Sequence, residues 1–187
     1  MRCTLLARAA LATVAFMLPA AYANAQEYHA KFSGFNEVGP LNAETGAILS
    51  DGMATLTVKV DKAASTATYS LTINNGLSAP VTQAHIHFGK VHVPGGVIVF
   101  LCTNLGNGPA GTPACPTPSG TVTGTLMAGS VVGPAAQNIT PGDFDGLTDA
   151  LESNTAYGNI HTTKFPAGEI RGQVRRDRDR DDDDDHH

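Results

Sequence analysis

The sequence lacks the motifs of most enzymes: it has no nucleophile–base pattern, no nucleotide-binding glycine loop and no paired catalytic carboxylates. It also lacks an apolar run of the roughly 20 residues that a membrane-spanning helix needs. Basic residues are in the minority, 12 against 17 acidic ones, for a net charge of −5. An acidic chain has no electrostatic reason to bind nucleic acid or anionic membranes. These absences favour a non-catalytic protein, although they leave a metal-dependent enzyme open.

The first 25 residues have the three parts of a cleaved signal peptide. Arg2 and Arg8 supply positive charge, and an apolar run of about ten residues follows, too short to span a bilayer. The small-residue pattern Ala-Asn-Ala at 23–25 then precedes Gln26. We therefore predict a secreted or periplasmic protein whose mature chain starts near Gln26, with a retained membrane anchor as the alternative. Removing residues 1–25 leaves ten basic and 17 acidic residues, a net charge of −7.

Two cysteines, Cys102 and Cys115, remain in the predicted mature chain, 13 positions apart. In an exported protein such a pair most simply forms one disulfide. Thiolates that bind metal together are usually closer, as in C-x2-C. We predict the disulfide, and free or metal-ligating thiols are the alternative.

Apolar and polar residues alternate along much of the chain, with glycine, proline and asparagine between the alternating segments. About 150 residues precede the charged tail, enough for one hydrophobic core. The pattern predicts strands at Tyr28–Ser33, Gly52–Val60, Thr66–Ile73, Val81–Phe88, Gly96–Cys102, Gly120–Leu126, Ala156–Thr162 and Glu169–Val174. The predicted fold is all-β: an antiparallel sandwich or barrel-like domain over residues 26–174, with one short α-helix before the last two strands.

Two further segments differ from this pattern. Thr140 is the predicted N-cap of the helix, whose apolar side carries Phe144, Leu147 and Leu151. The tail, Arg175–His187, has no apolar residue to bury and is predicted to be disordered. Its acidic block, Asp181–Asp185, is read as a solubilising end, with loose binding of metal ions as the alternative.

Polar residues that could carry chemistry lie on three of the predicted strands. His85 and His87 share one face of their strand because alternate residues point the same way. His161 lies on a later strand beside Asn159, and Glu169 and Arg171 share a face of the last strand. If these strands are neighbours, the three histidines could bind Zn²⁺ or Cu²⁺, with Glu169 as a fourth ligand or as a partner that orients an imidazole.

The alternative is a structural network in which these groups, including Asn159 and Arg171, satisfy one another by hydrogen bonds and ion pairs. His92 could approach the site from a loop, and His29 is read as incidental. The sequence leaves metal binding and the structural network as open alternatives, so no cofactor is certain and copper or zinc is the candidate.

Several separated motifs resemble one family. The segments FSGFNEVGP, AHIHFG, GGVIVFLC and AYGNIHTTKFPAGEIRGQV follow one another as in the CHRD domain, named from chordin and found in many exported bacterial proteins. The resemblance covers residues 28–174. Two departures, Gly39 where the family often has proline and Gly158 where it often has valine, do not affect the fold that it implies.

The resemblance implies an all-β extracellular module without an established enzymatic activity. The first reading of function is therefore an exported, non-catalytic binding or structural module for an unknown extracytoplasmic protein or ligand. The alternative is a copper- or zinc-binding metalloprotein built on the three histidines. The His-x-His strand is also similar to the metal strand of copper/zinc superoxide dismutases, so a dismutase-like enzyme is the third reading.

Overall fold

Antiparallel strands make up most of the protein in a computed structural model that describes residues 25–38 and 46–176. The predicted signal peptide up to Asn24 and the acidic block of the tail lie outside the described residues. The strands are β1 (Gln26–Ser33), β2 (Met53–Asp61), β3 (Thr66–Ile73), β4 (Val81–Phe88), β5 (Val97–Thr103), β6 (Gly120–Leu126), β7 (Ala156–Thr162), β8 (Ile170–Gln173) and β9 (Arg175–Arg176). One α-helix of the described residues, α1 (Phe144–Glu152), lies between β6 and β7.

The strands form one sheet in the order β5-β4-β7-β8-β1-β2-β3-β6, and β9 also pairs with β1. Every pairing is antiparallel. After β6 the chain returns to β5, where Val131 bridges Val99 and the Val132 amide donates to the Ile98 carbonyl. The sheet is therefore a nearly closed barrel, and the predicted all-β class with one short helix before the last strands is confirmed.

The β2–β3 hairpin shows how alternation builds the core. Leu56 and Val58 of β2 are 1% and 0% exposed, and they pair with Leu71 and Tyr69 of β3, which are 0% and 5% exposed. The residues between them point out of the barrel. Burying each large aliphatic side chain contributes about 1.5–3 kcal/mol, so a polar–apolar register of this kind strongly favours one pairing of the two strands.

The helix begins later than the sequence predicts. Its N-cap is Asp143, not Thr140, and the Asp143 carboxylate accepts a hydrogen bond of 2.9 Å from the Gly146 amide. The prediction failed at this point because Gly142 has a φ of 91°, which breaks the helical geometry between Thr140 and the first turn. The predicted apolar face is otherwise present, since Phe144, Leu147 and Leu151 are all buried.

The chain remains ordered slightly beyond the predicted domain. Arg175 and Arg176, which the sequence places in the tail, form β9 by pairing with His29 and Tyr28 of β1. None of the helices in the described ranges has the length and hydrophobicity that crossing a membrane requires.

Candidate functional site

Strands β4 and β7 are neighbours in the sheet, and together they carry the three histidines of the predicted site. Their register sets His85 opposite Asn159, His87 opposite Tyr157 and His161 opposite Gln83. His161 is thus diagonal to His85 on the same face, a spacing at which large side chains touch. The fold therefore brings His85, His87 and His161 together, although the second and the third are 74 positions apart in the sequence.

Both faces of these two strands are buried. The alternate residues, such as Ile86 and Ile160, point into the hydrophobic core. The histidine face is covered by the loop before β5, which contributes Gly95, and by the loop after β7, which contributes Pro166. As a result, the three histidines are only 3, 8 and 7% exposed in chain order.

The three imidazoles form a compact triangle. Their ring centroids are 4.9 Å apart for His85 and His161, 5.4 Å for His85 and His87, and 6.2 Å for His87 and His161. Nδ1 of His85 lies 3.1 Å from Nε2 of His161. Each ring offers one nitrogen to a common centre, and these three nitrogens lie within 4.8 Å of one another.

Backbone carbonyls determine which nitrogens carry protons. Nδ1 of His87 lies 2.9 Å from the Gly95 carbonyl oxygen, and Nδ1 of His161 lies 2.9 Å from that of Pro166. Because a carbonyl only accepts, each Nδ1 must donate, and in the neutral rings each Nε2 keeps a lone pair. Nδ1 of His85 then donates to Nε2 of His161. Nε2 of His85 and Nε2 of His87 are buried without a hydrogen-bond partner in the described structure.

The cluster strongly disfavours positive charge on its imidazoles. Burial lowers the pKa of His85 to about 2, with further lowering from His161 and His87. Burial also lowers the pKa of His87 to about 4, although its hydrogen bond to Gly95 opposes the shift. The pKa of His161 is lowered by burial in the same way. All three rings are therefore neutral at physiological pH, the state in which imidazole binds metal ions.

Tyr157 holds His87 in place from the side. Its ring stacks on the His87 ring at a centroid distance of 4.8 Å and an interplanar angle of 9°. Its hydroxyl accepts from the Gly95 amide and lies 3.2 Å from the Gly95 carbonyl that also accepts from His87. A side chain at Gly95 would collide with the Phe88 carbonyl, since a Cβ there would lie 1.7 Å from that oxygen. The sequence pattern did not single out Tyr157, although Tyr157 lies on the same face of β7 as His161.

Arg171 and Asn159, the predicted polar network, do form buried contacts near the histidines. Arg171 lies on β8, which is beside β7 in the sheet. Its guanidinium carbon lies 3.4 Å from the centroid of the Tyr157 ring. Asn159 donates a short hydrogen bond to the carboxylate of Glu37. Burial raises the pKa of Glu37, and the hydrogen bonds of Val38 and Asn159 and the charge of Arg171 oppose this shift. Glu37 is a second residue that the strand pattern could not reveal, because it lies in a loop.

Glu169 is not brought into the histidine cluster. The two oxygens of its fully buried carboxylate accept hydrogen bonds of 2.7 Å from the Ser50 hydroxyl, the Ser78 amide and the Thr162 hydroxyl. Burial acts to raise the pKa of Glu169, but these hydrogen bonds outweigh it and the pKa is lowered. The sequence pattern predicts Glu169 on a strand, on the same face as Arg171. Strand β8 begins only at Ile170, so alternation does not apply to Glu169.

The other candidate groups lie elsewhere. His92 is exposed in the loop after β4, and His29 of β1 lies beside Thr57 and Glu27. Neither belongs to the group of three histidines. Cys102 and Cys115 are joined in a disulfide, with sulfur atoms 2.04 Å apart.

Three neutral imidazoles with converging nitrogens can bind a transition metal ion. Zn²⁺ and Cu²⁺ both accept imidazole ligands at roughly 2.0–2.1 Å, and three ligands leave one position of a tetrahedral ion open. No other group of this kind is present in the parts of the chain that the structure describes.

Comparison with known proteins identifies the fold family. The family model described as the CHRD domain matches residues 28–174, from the third residue of β1 to the residue after β8. No curated protein and no solved structure matches the chain. The match includes every residue of the histidine cluster, of its covering loops and of the Arg171–Tyr157 stack. The chain belongs to the CHRD domain family.

Proposed function

We propose that this protein is an exported, non-catalytic binding module that holds one Zn²⁺ or Cu²⁺ ion through His85, His87 and His161. The observation that carries the proposal is the buried triangle of imidazoles, in which two Nε2 atoms have no hydrogen-bond partner. Leaving a buried acceptor without a partner costs about 1–3 kcal/mol. A purely structural histidine network would be expected to satisfy these atoms, whereas a metal ion would bind Nε2 of His87 and take the place of the His85–His161 hydrogen bond.

The spacing also suits a metal ion. Two imidazole nitrogens bound to a tetrahedral ion are roughly 3.3 Å apart, close to the 3.1 Å between Nδ1 of His85 and Nε2 of His161. For both to bind, the proton on Nδ1 of His85 moves to Nε2 of the same ring, which is unprotonated. The carbonyls of Gly95 and Pro166 hold the other two rings by their Nδ1 atoms, as second partners of metal-binding histidines commonly do.

Metal analysis of the purified protein tests the proposal. The parent protein carries asparagine at Asp177, Asp179 and Asp181–Asp185 and glutamine at His186 and His187, so that the tail cannot bind metal itself. After loading with Zn²⁺ or Cu²⁺ and dialysis, we expect one ion per chain and a raised melting temperature, because the ion binds the folded state. In the Cu²⁺ form, electron paramagnetic resonance should show hyperfine coupling to several imidazole nitrogens.

Three variants isolate the site. His87→Gln should lose the ion and the thermal shift while keeping the circular dichroism spectrum of the parent. His92→Gln removes an exposed histidine from the loop after β4 and should retain both, and so should Glu169→Gln. A parent protein that stays metal-free with no thermal shift would refute the metal site. Equal metal content in the His87→Gln and His92→Gln variants would refute it as well.

The export part of the proposal rests on the pattern of residues 1–25. A cut after Ala25 would leave β1, which begins at Gln26, intact. The Cys102–Cys115 disulfide is compatible with an oxidising compartment. The proposed mature protein therefore consists of the family domain at 26–174 and the charged tail at 175–187, and its partner outside the cytoplasm is not identified.

A further inference from the structure

We propose that a pocket beside the histidine cluster, on the outer face of β1, β8 and β9, binds a small oxyanion. Its lining consists of Lys31, Asn36, Val91, His92, Arg171, Gln173 and Arg175. This site is separate from the metal proposal, because none of its lining residues belongs to the histidine triangle.

The strand register explains why cationic side chains collect there. Ser33 of β1 pairs with Arg171 of β8, and His29 of β1 pairs with Arg175 of β9. Lys31 is therefore level with Gln173, and these odd-numbered residues share one face of the ribbon. Adjacent antiparallel strands thus place one lysine between two arginines.

The pocket is cationic in a protein that is acidic overall. Three of its lining residues are lysine or arginine, and none of the lining residues is acidic, against a net charge of −5 for the whole chain. The asparagine and glutamine amides add hydrogen-bond donors. The Glu37 carboxylate, outside the lining, offsets part of the charge of Arg171, and an anion in the pocket would accept charge-assisted hydrogen bonds from the lining cations.

Arg171 is fixed before any ligand arrives. It is 2% exposed, and its Nη2 donates hydrogen bonds of 3.0 Å to the carbonyls of Lys90 and Val93. The stack on Tyr157 holds the plane of the guanidinium. Lys31, in contrast, is exposed at the rim. A rigid arginine at the base of the pocket favours anion binding, because little further conformational entropy is lost at that side chain, and the exposed Lys31 adds a second positive charge at the rim.

The size of the pocket limits the ligand. Its volume is about 220 Å³, below the roughly 300–1,000 Å³ of sites for drug-sized molecules. A single tetrahedral oxyanion, with several oxygens that accept charge-assisted hydrogen bonds, fits both the volume and the donors. The probe for the test is therefore inorganic phosphate.

A titration followed by nuclear magnetic resonance tests this site. Phosphate is added to the metal-free protein with its native acidic tail, the parent in this test, in about 0.15 M salt, which screens charges outside the pocket. We expect saturable shifts of the backbone amides of Lys31, Arg171 and Gln173, with one phosphate per chain. The double variant Lys31→Met/Arg175→Gln should bind at least about tenfold more weakly, since each lost charged partner removes a charge-assisted hydrogen bond.

A matched control removes two positive charges outside the pocket. Lys59 and Lys62 form ion pairs with Glu27 and Glu152 and do not line the pocket. The variant Lys59→Met/Lys62→Met should bind phosphate within about twofold of the parent after the general charge effect is screened. Absence of saturation, or equal weakening in the two double variants, would overturn the assignment of an oxyanion to this pocket.

Discussion

Acidification of the metal-free protein from about pH 7 to about pH 5 is expected to lower its free energy of unfolding by about 4 kcal/mol. The loss arises mainly at His85 and His87, whose pKa values in the folded protein are about 2 and about 4, against an ordinary value of 6.5. Each contributes about 2 kcal/mol over this range. His161, whose pKa is also lowered by burial, adds to the same effect.

The sign follows from where protons bind. Below the ordinary pKa of 6.5 the unfolded chain takes up a proton on each of these histidines, whereas the folded protein keeps the rings neutral. The stabilisation is therefore complete above that pH and is lost as the pH falls through the window down to the folded values. Two neighbours act in the same direction, since the charges of His161 and Arg171 disfavour a proton on His87.

Urea unfolding followed by circular dichroism at a series of pH values measures this effect. The His87→Gln variant should show a shallower dependence on pH than the parent. His92→Gln, which removes an exposed histidine outside the cluster, is the matched control. A free energy of unfolding that stays constant between about pH 7 and about pH 5 would contradict the prediction.

Local alternation predicted most of the fold. On β2 and β3 every second residue is buried, and the strand boundaries follow from turn residues such as those at 62–65. The eight predicted strands are all present, with boundaries within a few residues. Strand β9 could not be predicted, because two successive arginines show no alternation of apolar and polar residues, and only their pairing with β1 makes them a strand.

The site depended on information that alternation does not contain. That His85, His87 and His161 share a face of their strands is a local property, but their contact requires β4 to lie beside β7. Strands β5 and β6 and helix α1 lie between those two in the sequence. The resemblance to a known family implied the fold but not this pairing. The register that sets His161 diagonal to His85 is a property of the complete sheet.

A difference of one residue in the start of β8 explains the wrong position predicted for Glu169. A strand that started at Glu169 would set its carboxylate on the side of Arg171. Because the strand starts at Ile170, the carboxylate instead meets Thr162, on the opposite side of β7 from His161. There it joins the loops that contain Ser50 and Ser78 to the end of β7. A one-residue error in a boundary thus changed a structural carboxylate into a predicted ligand.

Reduction of the Cys102–Cys115 disulfide is expected to lower the melting temperature by about 6–12 °C. The bond closes a loop of 13 residues, and in the chain-entropy model a loop of this size stabilises the folded protein by about 3 kcal/mol. For a domain of this length each kcal/mol corresponds to about 2–4 °C. The effect lies mainly in the unfolded chain, since reduction frees the unfolded loop.

Hydrogen bonds hold the folded loop independently of the disulfide. The Thr103 amide donates to the Pro113 carbonyl, and Asn104 bonds to both the amide and the carbonyl of Cys115. The reduced protein should therefore keep the native circular dichroism spectrum at room temperature and lose stability only on heating. A protein held together by the disulfide alone would instead lose native signal as soon as the bond is reduced.

Thermal unfolding of a Cys3→Ser variant, with and without reductant, measures the change in melting temperature. The double variant Cys102→Ala/Cys115→Ala serves as the control, because its melting temperature should be low in both conditions and unaffected by reductant. Thiol titration must confirm that the bond is reduced in the parent. The prediction fails if the fully reduced parent melts at the same temperature as the oxidised protein. In that case the disulfide does not restrict the unfolded chain, and the hydrogen bonds around Asn104 hold the folded loop with or without it.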